Sequence, residues 1–250
     1  MRAVFITGGT TGIGMELAKL YLSRGWKVGV CGRSRQKFDD NFTTHLDHLT
    51  FYGLDVSNRK DLKAAIADFS KSTGLDLLIA NAGIGYIHKT KVPDFEYSYK
   101  MVEINLLGVM YSFEAALEIM IPSGKGQLVA MSSIAGYNGL PGVSAYSATK
   151  AAVQKYTESL HLDLKQFNIA VTTICPGFVE TPLTSTNRHS MPFLVKAPKA
   201  AILIARAIEK KKMIYAFPFV FASIVRFISI LPRTWYRFII TKKAFNYSKE

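Results

Sequence analysis

Short apolar runs alternate with helical patterns from the first residues onward, and this alternation leaves few folds open to the chain. Ala3–Thr7 reads as a buried strand, followed by a glycine loop and a helical pattern over 14–23. Further strand-like runs occupy 27–31, 50–54, 75–80, Gly126–Met131, 169–175 and 213–217. Between them, 59–71, 96–121 and 144–166 place apolar residues at the period of a helix. Strands that are apolar on both faces belong to parallel sheets with helices packed on either side. The expected class is therefore α/β, with a parallel sheet covered on both faces. A chain of 250 residues suits one such domain, and 49% hydrophobic against 20% charged residues excludes disorder. No internal repeat or low-complexity linker divides it.

Cys31 and Cys175 each end a β-like run, which reads as two small buried hydrophobes in a reducing cytosol and no disulfide. The five histidines make no zinc-ligand pattern: His45 and His48 share a helical face without a cysteine or carboxylate partner, so no metal is expected. The first strand is expected almost at Met1, so no signal peptide is expected.

The loop after the first strand reads Thr7-Gly8-Gly9-Thr10-Thr11-Gly12-Ile13-Gly14. Glycines permit a tight turn and close backbone approach, and the helix that follows aims its N-terminus at a pyrophosphate. Between the first strand and first helix of a β/α series, such a loop predicts nucleotide binding. The second strand ends in Cys31-Gly32-Arg33-Ser34-Arg35, without the acid that would accept ribose hydroxyls. Two guanidinium groups there favour a 2′-phosphate, hence NADP(H) over NAD(H), although both also suit the start of the next helix. Asp55-Val56, just past the third strand, either meets an adenine ring or caps a helix beginning near Ser57.

Lys150 follows Tyr146 by one helical turn, and Ser133 precedes Tyr146 by thirteen positions. A phenol titrates near 10 and is a poor acid–base catalyst at neutral pH. A lysine on the same helical face favours its anion, and a nearby serine can hold a substrate oxygen beside it.

Together with Asn81-Ala82-Gly83, Asn105, Pro176-Gly177 and Thr181, these motifs resemble the short-chain dehydrogenase/reductase family over residues 2 to 182. The resemblance implies one Rossmann-type domain over 1–217, with a seven-stranded sheet, a nicotinamide cofactor and hydride exchange between a carbonyl and an alcohol. It makes Tyr146 the proton donor and acceptor and Lys150 the anchor of the nicotinamide ribose. Ser133 becomes the partner of the substrate oxygen, and Asn105 the holder of a water that links Lys150 to solvent. Cofactor contacts are implied for Gly8, Thr10, Thr11, Gly12, Ile13, Gly14, Arg33, Ser34, Asp55, Val56, Asn81, Ala82, Gly83, Tyr146, Lys150, Pro176, Gly177, Val179 and Thr181. It also implies a homo-oligomer, a dimer or tetramer. The rival function is an NADP(H)-binding sensor or scaffold without turnover, which would have no need of the proton relay.

Residues 183–196 stand where that family carries its variable substrate lid, and Leu183, Met191, Phe193, Leu194 and Val195 make it apolar. A lipophilic carbonyl or secondary alcohol is expected, with a small polar ketone as the alternative. The net charge is +13, and from Ala201 onward ten basic residues face two acids, Glu209 and Glu250. Residues 218–250 read as a basic, amphipathic helical extension. The apolar stretch 219–231 is too short to span a bilayer, which takes about 20 residues. Trp235, Tyr236 and Phe238 beside arginines describe helices lying in a membrane surface. Packing on a second subunit or over the substrate cleft is the competing reading. No nucleic-acid-binding motif is present, so nucleic acid is not expected. The expected location is the cytoplasm, at the cytoplasmic face of a membrane.

Overall fold

The structure is a computed structural model describing residues 1–44, 46–85, 92–185 and 190–240. His45, four lid positions (186–189) and the last ten residues of the basic extension lie outside these.

Seven strands form one parallel sheet: β1 (Ala3–Thr7), β2 (Lys27–Gly32), β3 (Leu49–Gly53), β4 (Leu77–Ala80), β5 (Gly126–Met131), β6 (Ile169–Pro176) and, after the short pair β7 (Val179–Glu180) and β8 (Val195–Lys196), β9 (Ile214–Phe217). The order is β3-β2-β1-β4-β5-β6-β9. The chain starts in the middle, runs outward to β3, then crosses back to lay β4 on the other side of β1. That reversal leaves a crevice at the carboxyl ends of β1 and β4, where ligands of doubly wound sheets bind.

The helices are α1 (Gly12–Ser23), α2 (Arg35–Asn41), α3 (Arg59–Thr73), α4 (Phe95–Val102), α5 (Gly108–Ser123), α6 (Ser144–Asp163), α7 (Ala197–Glu209), α8 (Phe219–Ile230) and α9 (Arg233–Ile240). Because strand side chains point alternately to opposite faces, adjacent residues of β1 feed different cores. Phe5 packs with Phe69, Phe113 and Val153 on one side; Val4 and Ile6 pack with Leu17, Tyr21 and Ile204 on the other.

Three of the differences from the sequence expectation have a local reason. The fourth strand starts at Leu77, two residues late, because the Asp76 carboxylate accepts the Ala3 N–H (2.9 Å). The pattern over 144–166 ends as α6 at Asp163 and tightens into a 3₁₀ turn, which left-handed Asn168 (φ 56°) terminates. The pattern over 96–121 is interrupted by a π turn, Glu103–Leu107, that carries Asn105. An inserted residue in a helix is a common mark of a functional position. The whole run Phe95–Ser123 is long and apolar enough to cross a bilayer, but half of its most apolar window is buried in the protein.

Candidate active site

The carboxyl ends of the central strands open on a cavity of about 460 Å³, a size typical of small-molecule sites. Of the sequence-expected site residues, all line it except Gly14 and Asn105, which brace it from behind.

The glycine loop forms one end. Gly8 has φ +63° and a Cβ there would lie 2.8 Å from Ala82 Cα; Gly12 has φ +57°. A Cβ on Gly14 would collide with the Asn81 amide and the Gly8 carbonyl. Asn81 ties this loop down by donating from Nδ2 to Thr7 O (3.0 Å) and Gly8 O (3.1 Å). Thr7 Oγ1 in turn accepts the N–H groups of Asn81 (3.0 Å) and Ala82 (3.1 Å). Asn81 thus works as a strut, and the Thr7 hydroxyl, which sequence reasoning passed over, is its counterpart. The first bond of α1 runs from Met15 N–H to Thr11 O (3.2 Å), so the N–H groups of residues 12–14 have no partner within the helix. Thr11 offers no side-chain cap, and the first turn holds no acid. The site therefore fits a diphosphate: open donors, a positive helix end and close backbone.

At the end of β2 the arrangement corrects the expectation of two guanidinium groups. Arg35 turns away, bonding Asp39 (2.9 Å) and lying over Phe38 and Phe51. Lys37 takes its place on the cavity wall beside Arg33 and Ser34. The Ser34 hydroxyl accepts the Lys37 N–H (3.2 Å) and caps α2, which brings the three together. Helical spacing from Ser34 is the signal that would have found Lys37. Asp55 lines the cavity 3.8 Å from Arg33. It accepts from Ser57 N–H (3.0 Å) and Oγ (2.9 Å), while Asn58 caps α3.

At the other end α6 presents Tyr146 and Lys150, with Lys150 Nζ 5.7 Å from the Tyr146 ring centroid. Lys150 is buried and donates to Met131 O (2.8 Å). Desolvation pulls its ammonium down to about 8. Burial also raises the Tyr146 phenol above its ordinary value, opposed by a hydrogen bond with Ser133. The expected lowering of the phenol is thus absent: loss of water around the Tyr146 anion outweighs the stabilising contacts. Ser133 Oγ accepts from Ala135 N–H (3.1 Å) and is 3.4 Å from Pro176 O.

Asn105 is fully buried, and its side chain is committed to Ile84: Oδ1 accepts the N–H (2.8 Å) and Nδ2 donates to the carbonyl (2.9 Å). A Cβ on Gly83 would sit 3.2 Å from Asn105 Oδ1 and 3.5 Å from Lys150 Nζ, so the β4 loop is wedged between them. Gln154 is a further residue that sequence reasoning missed. One turn beyond Lys150, its Nε2 donates to Ser132 Oγ (3.0 Å) and Ser133 O (2.9 Å). It fastens the serine loop to the helix that carries Tyr146.

Residues 2–192 match the family model described as short chain dehydrogenase. An uncharacterized oxidoreductase of Myxococcus xanthus is 34% identical over 235 residues, 92% of this chain and 93% of that protein. A short-chain dehydrogenase from Streptomyces avermitilis superposes with TM-score 0.82 at 25% identity, covering 90% of both chains. The structure of ElxO with NADP bound gives TM-score 0.77 at 25% identity over 86% of this chain and 96% of that one.

Proposed function

The chain belongs to the short-chain dehydrogenase family, oxidoreductases that act on CH–OH or carbonyl groups with a nicotinamide cofactor, and from that membership we propose an NADPH-preferring reductase of lipophilic carbonyls. What carries the reading is the convergence of Ser133, Tyr146 and Lys150 on the cavity that the glycine loop closes at its far end.

The nicotinamide supplies the hydride when bound. Tyr146 gives its proton to the substrate oxygen, and its raised pKa keeps it in the protonated form that reduction needs. Ser133 Oγ hydrogen-bonds the same oxygen as negative charge grows on it. Lys150 Nζ, 5.7 Å from the Tyr146 ring centroid, would hold ribose hydroxyls, and Pro176, Gly177, Val179 and Thr181 would wall the nicotinamide side. Turnover of NADPH with long-chain or polycyclic ketones, followed by nicotinamide absorbance, tests the assignment. Tight NADPH binding with no turnover on a broad carbonyl panel would select the sensor instead, and a preference for short polar ketones would remove the lipophilic substrate.

The cofactor preference rests on Arg33, Ser34 and Lys37 and on the missing acid at the end of β2. NADP in ElxO is consistent with it. A hydrogen bond to a charged group contributes about 1.5–3 kcal/mol. Arg33→Ala and Lys37→Ala should therefore each weaken NADPH binding about tenfold or more and leave NADH nearly unchanged. Equal losses for both cofactors in a titration would contradict the clamp.

Self-association follows the habit of the family, and α4 exposes Phe95, Tyr97 and Tyr99 for it. Light scattering of the purified chain should report a dimer or tetramer. A cytoplasmic setting with the C-terminal extension against a membrane completes the reading.

A further inference from the structure

The outer face of α8 is largely apolar, interrupted by Ser223 and Arg226. Ala222, Val225 and Ile228 point inward, whereas Phe219 (81% exposed), Val220, Ile224, Phe227 (60%) and Ile230 (75%) face out. A run of large exposed apolar side chains on one helix marks an interaction surface. The inner face of the same helix rests on the active site. Ala222 and Val225 pack with Ile134, next to Ser133, and with Cys175. Phe221 stacks on Phe178 and on the lid residue Phe193, both at 5.8 Å between centroids. A Cβ on Gly177, which lines the cofactor cavity, would come within 3.2 Å of Phe221. One side chain thus separates the exposed face from the nicotinamide wall. The lid continues that surface through exposed Phe193 and Leu194.

We propose that this face docks on an anionic lipid bilayer and that the lipophilic substrate passes from the bilayer, past Phe193 and Phe221, into the cavity. Charge decides between a bilayer and a second copy of the chain. The two helices α8 and α9 carry three arginines, Arg226, Arg233 and Arg237, and no acid. Two copies meeting on this face would bring like charges together, whereas an anionic leaflet attracts them. Arg226 is exposed on the same helix and Trp235 on the next, the mixture of interfacial helices. At 12 residues α8 is about 18 Å long, enough to lie in the interface but short of the hydrocarbon thickness. The docking half stands on the surface alone; the delivery half rests on the lipophilic-carbonyl reading.

Co-sedimentation of the full chain with vesicles tests the docking, comparing phosphatidylglycerol/phosphatidylcholine with phosphatidylcholine alone, and wild type with Phe219→Ser/Phe227→Ser. Wild type should pellet with the anionic vesicles, less so at high salt, and the double variant should bind at least tenfold more weakly. Arg226→Gln should lower partitioning about fivefold. Wild type remaining in the supernatant, or a folded double variant (by circular dichroism) pelleting like wild type, overturns the docking. So does a variant whose only change is from dimer to monomer in light scattering. For delivery, the variant should reduce a water-soluble ketone at the wild-type rate and a vesicle-embedded long-chain ketone at least tenfold more slowly. Equal rates on the embedded ketone overturn it. Absence of turnover on any ketone by wild type bound to vesicles overturns the reductase reading and leaves the docking standing.

Discussion

Tyr146→Phe should reduce carbonyl turnover by about 10²–10⁴-fold, the usual contribution of a positioned general acid, while NADPH binds as in wild type. The substitution removes one oxygen and keeps the ring, so packing along α6 is retained. The phenol is hydrogen-bonded to Ser133 on the cavity wall, where it is desolvated, and water is a poor replacement in so enclosed a place. Single-turnover kinetics at saturating NADPH separates chemistry from binding. A variant within a fewfold of the wild-type rate would mean that the proton comes from elsewhere.

The second large effect is expected from Lys150→Met, and it has opposite signs for activity and stability. Activity should fall about 100-fold or more, because the ribose loses its anchor and a small misplacement of the reacting atoms carries that penalty. Stability should rise near neutral pH. In the folded chain the ammonium titrates near 8, against 10.5 when solvated. Below pH 8 both states carry the proton, and the fold bears the whole burial penalty, about 3 kcal/mol. Between 8 and 10.5 the unfolded chain binds more protons than the native one, so this penalty fades as pH rises. Buried Cys31 and Cys175, with thiols pushed up to about 12 and about 11, act in the opposite direction. For them the native state holds the protons, and alkaline pH favours unfolding. The difference between wild type and Lys150→Met isolates the lysine. The melting advantage of the variant should shrink from pH 7 to 10, less whatever the lost bond to Met131 O removes. A constant difference across that range would show that Lys150 is not held in a desolvated state.

The parallel sheet and its glycine loop were legible because their causes are local or nearly so. Doubly apolar runs such as Val28 to Cys31 and Leu77 to Ala80 demand cover on both faces, and glycines at positive φ need no tertiary information to be recognised. Tyr146 and Lys150 were legible because a helix dictates that positions four apart share a face. Lys37 was missed for want of the register of α2, which the Ser34 cap sets. Arg35 was misassigned because its choice between a phosphate site and the Asp39–Phe38–Phe51 surface depends on packing.

What the order of residues determined by itself is the set of elements, the loop that suits a diphosphate and the acid–base pair on one helical turn, since backbone period and glycine stereochemistry act over a few residues. Tertiary structure alone decided the rest. The π turn commits Asn105 to Ile84, Gln154 fastens the serine loop to α6, and α8 lies with its inner face on the active site and its apolar outer face exposed. It also decided the protonation of the central pair. The direction of a pKa depends on how much water surrounds a charge, and that is set by segments far apart in the chain closing over Tyr146 and Lys150.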